Sequence, residues 1–211
     1  MPKPGPRKDS AANQAQILDA ATHEFADKGF SGARMDTIAR RASINKAMIY
    51  YHIGDKKALY GAVLNATFGN MATLITENIA WEKSPGENLR MYLQTIAASI
   101  RQNPRIPPIM LRETASGGKN LPDGVVRSLR IILEILARIL NQGVATKEFH
   151  PASSLMVHFM LIGPLVFLNQ MKHLIKTQIR RMAPETLLTQ WPEDIYGEIE
   201  TLIFRAISVK E

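Results

Sequence analysis

Between Met35 and Leu59 the chain reads MDTIARRASINKAMIYYHIGDKKAL, and this stretch narrows the possible folds more than any other. Ile38, Ala39 and Ala42 share one face of a short helix, Ser43 and Ile44 break the pattern, and a new helical register starts at Asn45, carrying Ile49 and Ile53 inward. Asn45 is a natural N-cap, because its side-chain oxygen can accept from an amide two or three residues on. The spacing therefore predicts a helix-turn-helix. With Ile38, Ala42, Ile44 and Ile49 inside, Lys46, Ala47, Met48, Tyr50, Tyr51 and His52 remain outside. That mixture of charged, hydroxylated and flat groups suits the phosphate-lined major groove of double-stranded DNA.

The rest of the chain carries the same helical period. A first helix is expected from Ser10 or Ala11 to Lys28, with Ile17, Leu18, Ala21 and Phe25 inward and Gly29 as its left-handed stop, preceded by a basic arm, Met1 to Asp9. Asp55 should cap a long helix to about Ala80, with Leu59, Val63 and Ala66 on one apolar stripe and Leu64, Phe68, Met71 and Ile75 on another. Further helices are expected after the Lys83–Gly86 break up to Pro104, from Ile109 to Ser116, from Pro122 to Thr146 along Val126, Leu129, Leu133, Leu136 and Leu140, from Pro151 to Ile179, and from Pro192 to Val209 along Ile195, Ile199, Leu202 and Ala206. Gly163–Pro164 should kink or locally open the eighth, because proline removes a backbone donor and collides with the preceding turn. No strand-like alternation or internal repeat appears, so the expected class is all-α with about nine helices.

Composition restricts the chemistry. Cysteine is absent, which removes disulfides and thiolate metal sites. The histidines at 23, 52, 150, 158 and 173 never fall four apart, and there is no glycine-rich phosphate loop or nucleophile elbow; neither a metal nor a cofactor is expected, and an enzyme has no positive support. The net charge is +7. Residues 1–57 hold 10 Lys/Arg against 6 Asp/Glu, a net of +4, whereas the remaining 154 residues hold 16 against 13, a net of +3. Positive charge is thus densest beside the helix-turn-helix, where a polyanion would dock. The start of the sequence is polar and proline-rich, and the charge-free run Phe149–Met171 is diluted by Pro151, His158, Gly163, Pro164, Asn169 and Gln170. A cytoplasmic protein with no membrane span is expected.

Residues 1–60 resemble the TetR family of transcriptional regulators. The resemblance rests on Ile17-Leu18-Asp19-Ala20-Ala21, Phe25, Lys28-Gly29-Phe30, Ile38-Ala39, Ala42, Ile44, Asn45-Lys46, Ile49-Tyr50-Tyr51-His52 and Asp55-Lys56-Lys57-Ala58-Leu59. The chain departs from the family's usual pattern at Arg34, Ser43, Asn45, Ala47, Met48 and Ile53. The resemblance implies an amino-terminal DNA-binding domain, residues 1–57, a carboxyl-terminal effector-binding and dimerisation domain, residues 58–211, and a fourth helix that relays effector binding to DNA. Candidate DNA contacts are Arg34, Asn45, Lys46, Ala47, Met48, Tyr50, Tyr51, His52 and Lys56. Lys46 is the base-facing donor able to reach guanine, and Met48 or Ala47 could meet a thymine methyl.

A cavity for a small, largely apolar effector is expected among helices five to eight. Its candidate lining is Met91, Tyr92, Met110, Phe159, Met160, Phe167 and Met171, with Arg112, Glu113 and His158 for polar recognition. The last two helices carry more apolar residues than one buried face uses, which fits a homodimer through an intersubunit four-helix bundle. Such a dimer would bind a pseudo-palindromic operator with its two heads about 34 Å apart, most simply as a repressor released by its effector. A rival reading keeps the fold and replaces DNA by protein partners, as an adaptor.

Overall fold

The structure, a computed structural model, describes residues 6–177 and 194–209. Among these residues there are nine helices and no strand. They are α1 (Pro6–Gly32), α2 (Met35–Arg41), α3 (Lys46–His52), α4 (Lys56–Asn78), α5 (Pro85–Gln102), α6 (Ile106–Ala115), α7 (Asp123–Ala145), α8 (Ser154–Thr177) and α9 (Ile195–Ile207). The expected all-α architecture is present.

Local chemistry fixes most boundaries. Asp55 Oδ1 accepts from the Ala58 amide at 2.8 Å and opens α4. Ser84 and Glu87 form a reciprocal capping box at the start of α5: the Ser84 amide donates to Glu87 Oε2 at 3.1 Å, and the Glu87 amide donates to Ser84 Oγ at 3.2 Å. The carboxyl pKa of Glu87 is lowered by the backbone and side-chain hydrogen bonds from Ser84. Pro107 and Pro108 belong to α6 instead of preceding it, since a first turn has no use for their missing amides. Pro6–Asp9 is helical, so α1 begins inside the expected arm. One helix runs through Gly163 and Pro164. Pro192 and the expected end of the eighth helix at Ile179 lie outside the described residues.

The described residues form two compact units, one within residues 1–70 and 103–128, the other within 71–102 and 129–211. The first unit continues past residue 57 because the first turns of α4 are part of its core. Phe25, Phe30 and Tyr60 meet there, Phe25 and Tyr60 edge-on with ring centroids 4.8 Å apart and Phe30 and Tyr60 at 5.1 Å. Helix α6 packs on α1 within the same unit. Its Arg112 donates to the backbone carbonyls of Ala26 and, at 3.2 Å, Asp27. These carbonyls are left over where Gly29, at φ +67, breaks α1, and a cation there also meets the negative end of the helix dipole. Glu113 is buried and accepts from Tyr60 Oη at 2.9 Å and from Asn120 Nδ2 and backbone amide at 3.0 and 3.2 Å.

In the second unit, Leu89, Leu93 and Ile96 of α5, Ile132, Leu136 and Ile139 of α7, Val157, Leu161 and Leu165 of α8, and Ile199, Ile203 and Ile207 of α9 are buried. The buried stripe of α7 starts at Val125, whereas Val126 is exposed. On α8 Leu155 and Phe159 are exposed, and on α9 so are the expected inward residues Leu202 and Ala206. Ala66 of α4 is exposed as well. The rest of the α4 reading holds, with Leu59, Val63, Leu64, Phe68, Met71 and Ile75 buried, as are Leu136 and Leu140 of α7 and Ile199 of α9; the misplaced residues lie on helices that carry apolar side chains on two faces.

Candidate nucleic-acid interface

The helix-turn-helix is assembled from three local devices. The Glu24 carboxylate of α1 accepts the amide of Arg34 at 3.2 Å, fixing the entry to α2. Ser43 takes φ +54 in the turn after α2, with its amide on Arg40 O at 3.2 Å and the next amide, of Ile44, on Ala39 O at 3.1 Å. Asn45 Oδ1 then accepts the Ala47 amide at 2.9 Å and opens α3, as its sequence position predicts. Ile38 and Ile49 are fully buried and clamp the two short helices onto α1.

This leaves one face of α3 in solvent. Tyr51 is 81% exposed, Tyr50 47% and Met48 37%, and Ala47 is exposed beside them. Two tyrosines of consecutive sequence number therefore both point outward, where their hydroxyls can donate to phosphate oxygens. Lys46 Nζ lies 3.0 Å from Asp36 Oδ1 of α2. Its pKa is raised above the ordinary lysine value by the hydrogen bond to Asp36, then by that residue's charge. Arg34 is exposed at the start of α2.

Three expected contacts are engaged or turned elsewhere. Lys56 donates to Ser31 O at 3.1 Å and sits 5.0 Å over the Phe30 ring, so its ammonium ties the start of α4 to the end of α1. His52 turns Nε2 into the fold, sealed from solvent and without a hydrogen-bond partner, while its ring meets Tyr51 edge-on at 5.2 Å. That nitrogen is not presented to a phosphate. Asn45 is occupied as a cap.

Sequence reasoning missed Asp36, Arg40 and Arg41, all exposed on α2. The adjacent arginines were legible as cations in the last turn of a helix. Asp36 was not, because an acid in a first turn ordinarily needs no explanation beyond the helix dipole.

The expected effector residues are divided between the two units. Met110, Arg112 and Glu113 belong to the first unit, where Arg112 and Glu113 have the structural partners described above. In the second unit Phe159 is 57% and Phe167 58% exposed, and Met160 is exposed as well. These three face outward because the side of α8 that packs inward is the one bearing Val157, Leu161 and Leu165. Met91 and Met171 are half-buried. Tyr92 and His158 do meet, Oη to Nδ1 at 2.6 Å, both buried. Burial pushes the His158 pKa down to about 4 and the Tyr92 pKa up. The described residues hold no group of three or more His, Asp or Glu placed to bind a metal, and no helix among them is long and apolar enough to cross a membrane.

A family model described as bacterial regulatory proteins, tetR family, matches residues 17–63, the whole of this helix-turn-helix. The helix-turn-helix of this chain is thus similar to that of the tetR family. Two relatives place its amino-terminal region among bacterial helix-turn-helix regulators. The transcriptional repressor SCO4008 of Streptomyces coelicolor is 42% identical over 65 residues, 31% of this chain and 34% of that protein. The transcriptional activator FasR of Mycolicibacterium smegmatis is 33% identical over 86 residues, 41% of this chain and 39% of that protein. The chain thus spans little more than a third of the length of these curated relatives. Over nearly the full chain the fold is similar to that of HlyIIR, a hemolysin II transcriptional regulator, with a TM-score of 0.69, 22% identity and coverage of 95% of this chain and 99% of that one. A TetR-family regulator from Marinobacter aquaeolei is similar at a TM-score of 0.71 and 18% identity, over 97% of this chain and all of that one.

Proposed function

We propose that the protein is a DNA-binding transcriptional regulator that places α3 in the major groove of a pseudo-palindromic operator as a homodimer. The observation that carries this reading is the outward face of α3, where Met48, Tyr50 and Tyr51 stand in solvent on a helix whose opposite side is locked by Ile49. Tyr50, Tyr51, Arg34, Arg40 and Arg41 supply phosphate contacts, and Lys46 with Ala47 and Met48 faces base edges.

Pairing is assigned to α8 and α9. Leu155, Met156, Phe159, Met160 and Phe167 of α8 and Leu202 of α9 are exposed although both helices already bury a separate apolar stripe. Exposed apolar residues grouped in this way on two packed helices mark an interaction surface. A small, largely apolar effector changes DNA affinity by the ratio of its affinities for the two states of the dimer. Repression is the simplest output, since a dimer seated on an operator excludes other proteins from it.

Selection of duplexes from a random-sequence pool by the purified protein, followed by fluorescence anisotropy on the enriched sites, tests the reading. Enrichment of a two-fold-symmetric site supports it. Failure to enrich any sequence, with binding to other proteins retained, favours the adaptor.

A further inference from the structure

Helix α3 has a single Lys or Arg, Lys46 at its first residue. In the folded protein that charge is answered by Asp36 at 3.0 Å, from the first turn of α2. Both side chains are exposed, 43% for Lys46 and 69% for Asp36. An exposed pair of this kind contributes little to stability, so holding the fold together does not account for it. Its placement has a larger consequence. A carboxylate on a surface that meets phosphates opposes the sequence-independent attraction that governs non-specific binding.

The pair also carries a pattern. It presents ammonium donors and a carboxylate acceptor side by side. In the major groove a G·C pair offers the complement, the N7 and O6 acceptors of guanine next to the N4 amine donor of cytosine. A·T presents a different order of groups, with a methyl at one end.

We propose that Asp36 is a specificity-determining residue, which together with Lys46 reads one G·C base pair in each operator half-site and weakens binding to every other sequence. This rests on the proposed docking of α3 in the major groove and adds to it the identity of a base pair. Lys46 donates to guanine O6 and N7, Asp36 accepts from cytosine N4, and away from such a pair the two side chains neutralise each other. Free Lys46 would instead act as one more phosphate-seeking cation.

The test compares the wild-type protein with Asp36→Asn and Lys46→Met, using sites selected by the wild type, the same sites with that G·C replaced by A·T, and random-sequence duplex. Both variants change exposed side chains, and circular dichroism checks that they keep the fold. The wild type should prefer G·C by about 10- to 100-fold, the range expected for a good two-contact base readout. Asp36→Asn should cut that preference to a few-fold, raise affinity for random-sequence DNA several-fold and steepen its salt slope by about 0.9, the increment for one added phosphate contact. Lys46→Met should lose the preference without the gain on random sequence, and the double variant should lose no more than either single change. Unchanged preference and unchanged random-sequence affinity in Asp36→Asn overturn the proposal while leaving DNA binding standing. If the wild type enriches no sequence at all, the underlying reading fails, and the proposal fails with it.

Discussion

Ser43 holds the turn between α2 and α3 in the left-handed region, at φ +54. An L-residue there costs roughly 1 kcal/mol relative to glycine, because Cβ crowds the following carbonyl. Ser43→Gly should therefore stabilise the protein slightly, by up to about 0.5 kcal/mol once the greater freedom of an unfolded glycine is subtracted, as read from denaturant midpoints at unchanged slope. His158 makes a second prediction at this scale. Its folded pKa, about 4, lies below its usual 6.5, so between those values the unfolded chain binds a proton that the folded chain refuses. Stability should be complete above pH 6.5 and fall as pH drops towards 4, by up to about 3 kcal/mol at 1.36 kcal/mol per unit. His158→Gln keeps an acceptor for Tyr92 and cannot titrate. The difference between the two urea-denaturation profiles isolates the histidine from the carboxylates, and parallel profiles would show that it contributes nothing.

Helix α6 illustrates how an element's role escapes the sequence. Its existence was legible from Pro104 before it and from Gly117–Gly118 after it, although its first turn was not. Arg112 and Glu113, however, were expected to recognise an effector, and they instead secure the first unit. Periodicity reports which residues of one helix share a face; it does not report which partner, far along the chain, that face meets. The bond from Tyr60 to Glu113 spans 53 positions, and nothing local to either residue announces it. The helix-turn-helix, by contrast, was legible almost to the residue, since Asn45, Asp55 and the buried Ile38 and Ile49 act within a few residues of themselves. Three substitutions test the assignment of α6. Tyr60→Phe removes one donor from a buried carboxylate and should cost about 1–3 kcal/mol. Arg112→Ala strips the carbonyls of Ala26 and Asp27 of their donor and should cost about 1 kcal/mol or somewhat more. Gly29→Ala should cost at least as much, since it strains φ +67 and sets a Cβ 3.1 Å from Arg112 Cδ. Thermal melts of the variants provide the check, and near-wild-type stability in all three would remove α6 from the support of α1 and α4.

For the whole molecule the question is what covers α8. The run Phe149–Met171 contains no Asp, Glu, Lys or Arg, so its exposed residues offer a partner shape and apolar area but no charge. A partner selected by charge finds nothing there to pair with. A second copy of the same face pairs apolar with apolar, and Gly163, with nothing within 4 Å of where its Cβ would be, leaves space on the helix between Phe159 and Phe167 for a neighbouring helix to approach. Phe159→Glu and Phe167→Glu place charges on this face without disturbing the buried stripe of Val157, Leu161 and Leu165. Each change should weaken self-association at least about tenfold, because an unpaired carboxylate in an apolar interface costs more than the roughly 1.4 kcal/mol that this factor represents. Sedimentation velocity across a dilution series measures the association, and circular dichroism verifies that the monomer keeps its helices. Since a dimer engages two half-sites at once, the same variants should lose most of their affinity for a symmetric operator while keeping the weak affinity of one head for a half-site. A variant that stays dimeric would move the interface off α8, and one that becomes monomeric yet binds the full operator as tightly as before would separate DNA binding from pairing.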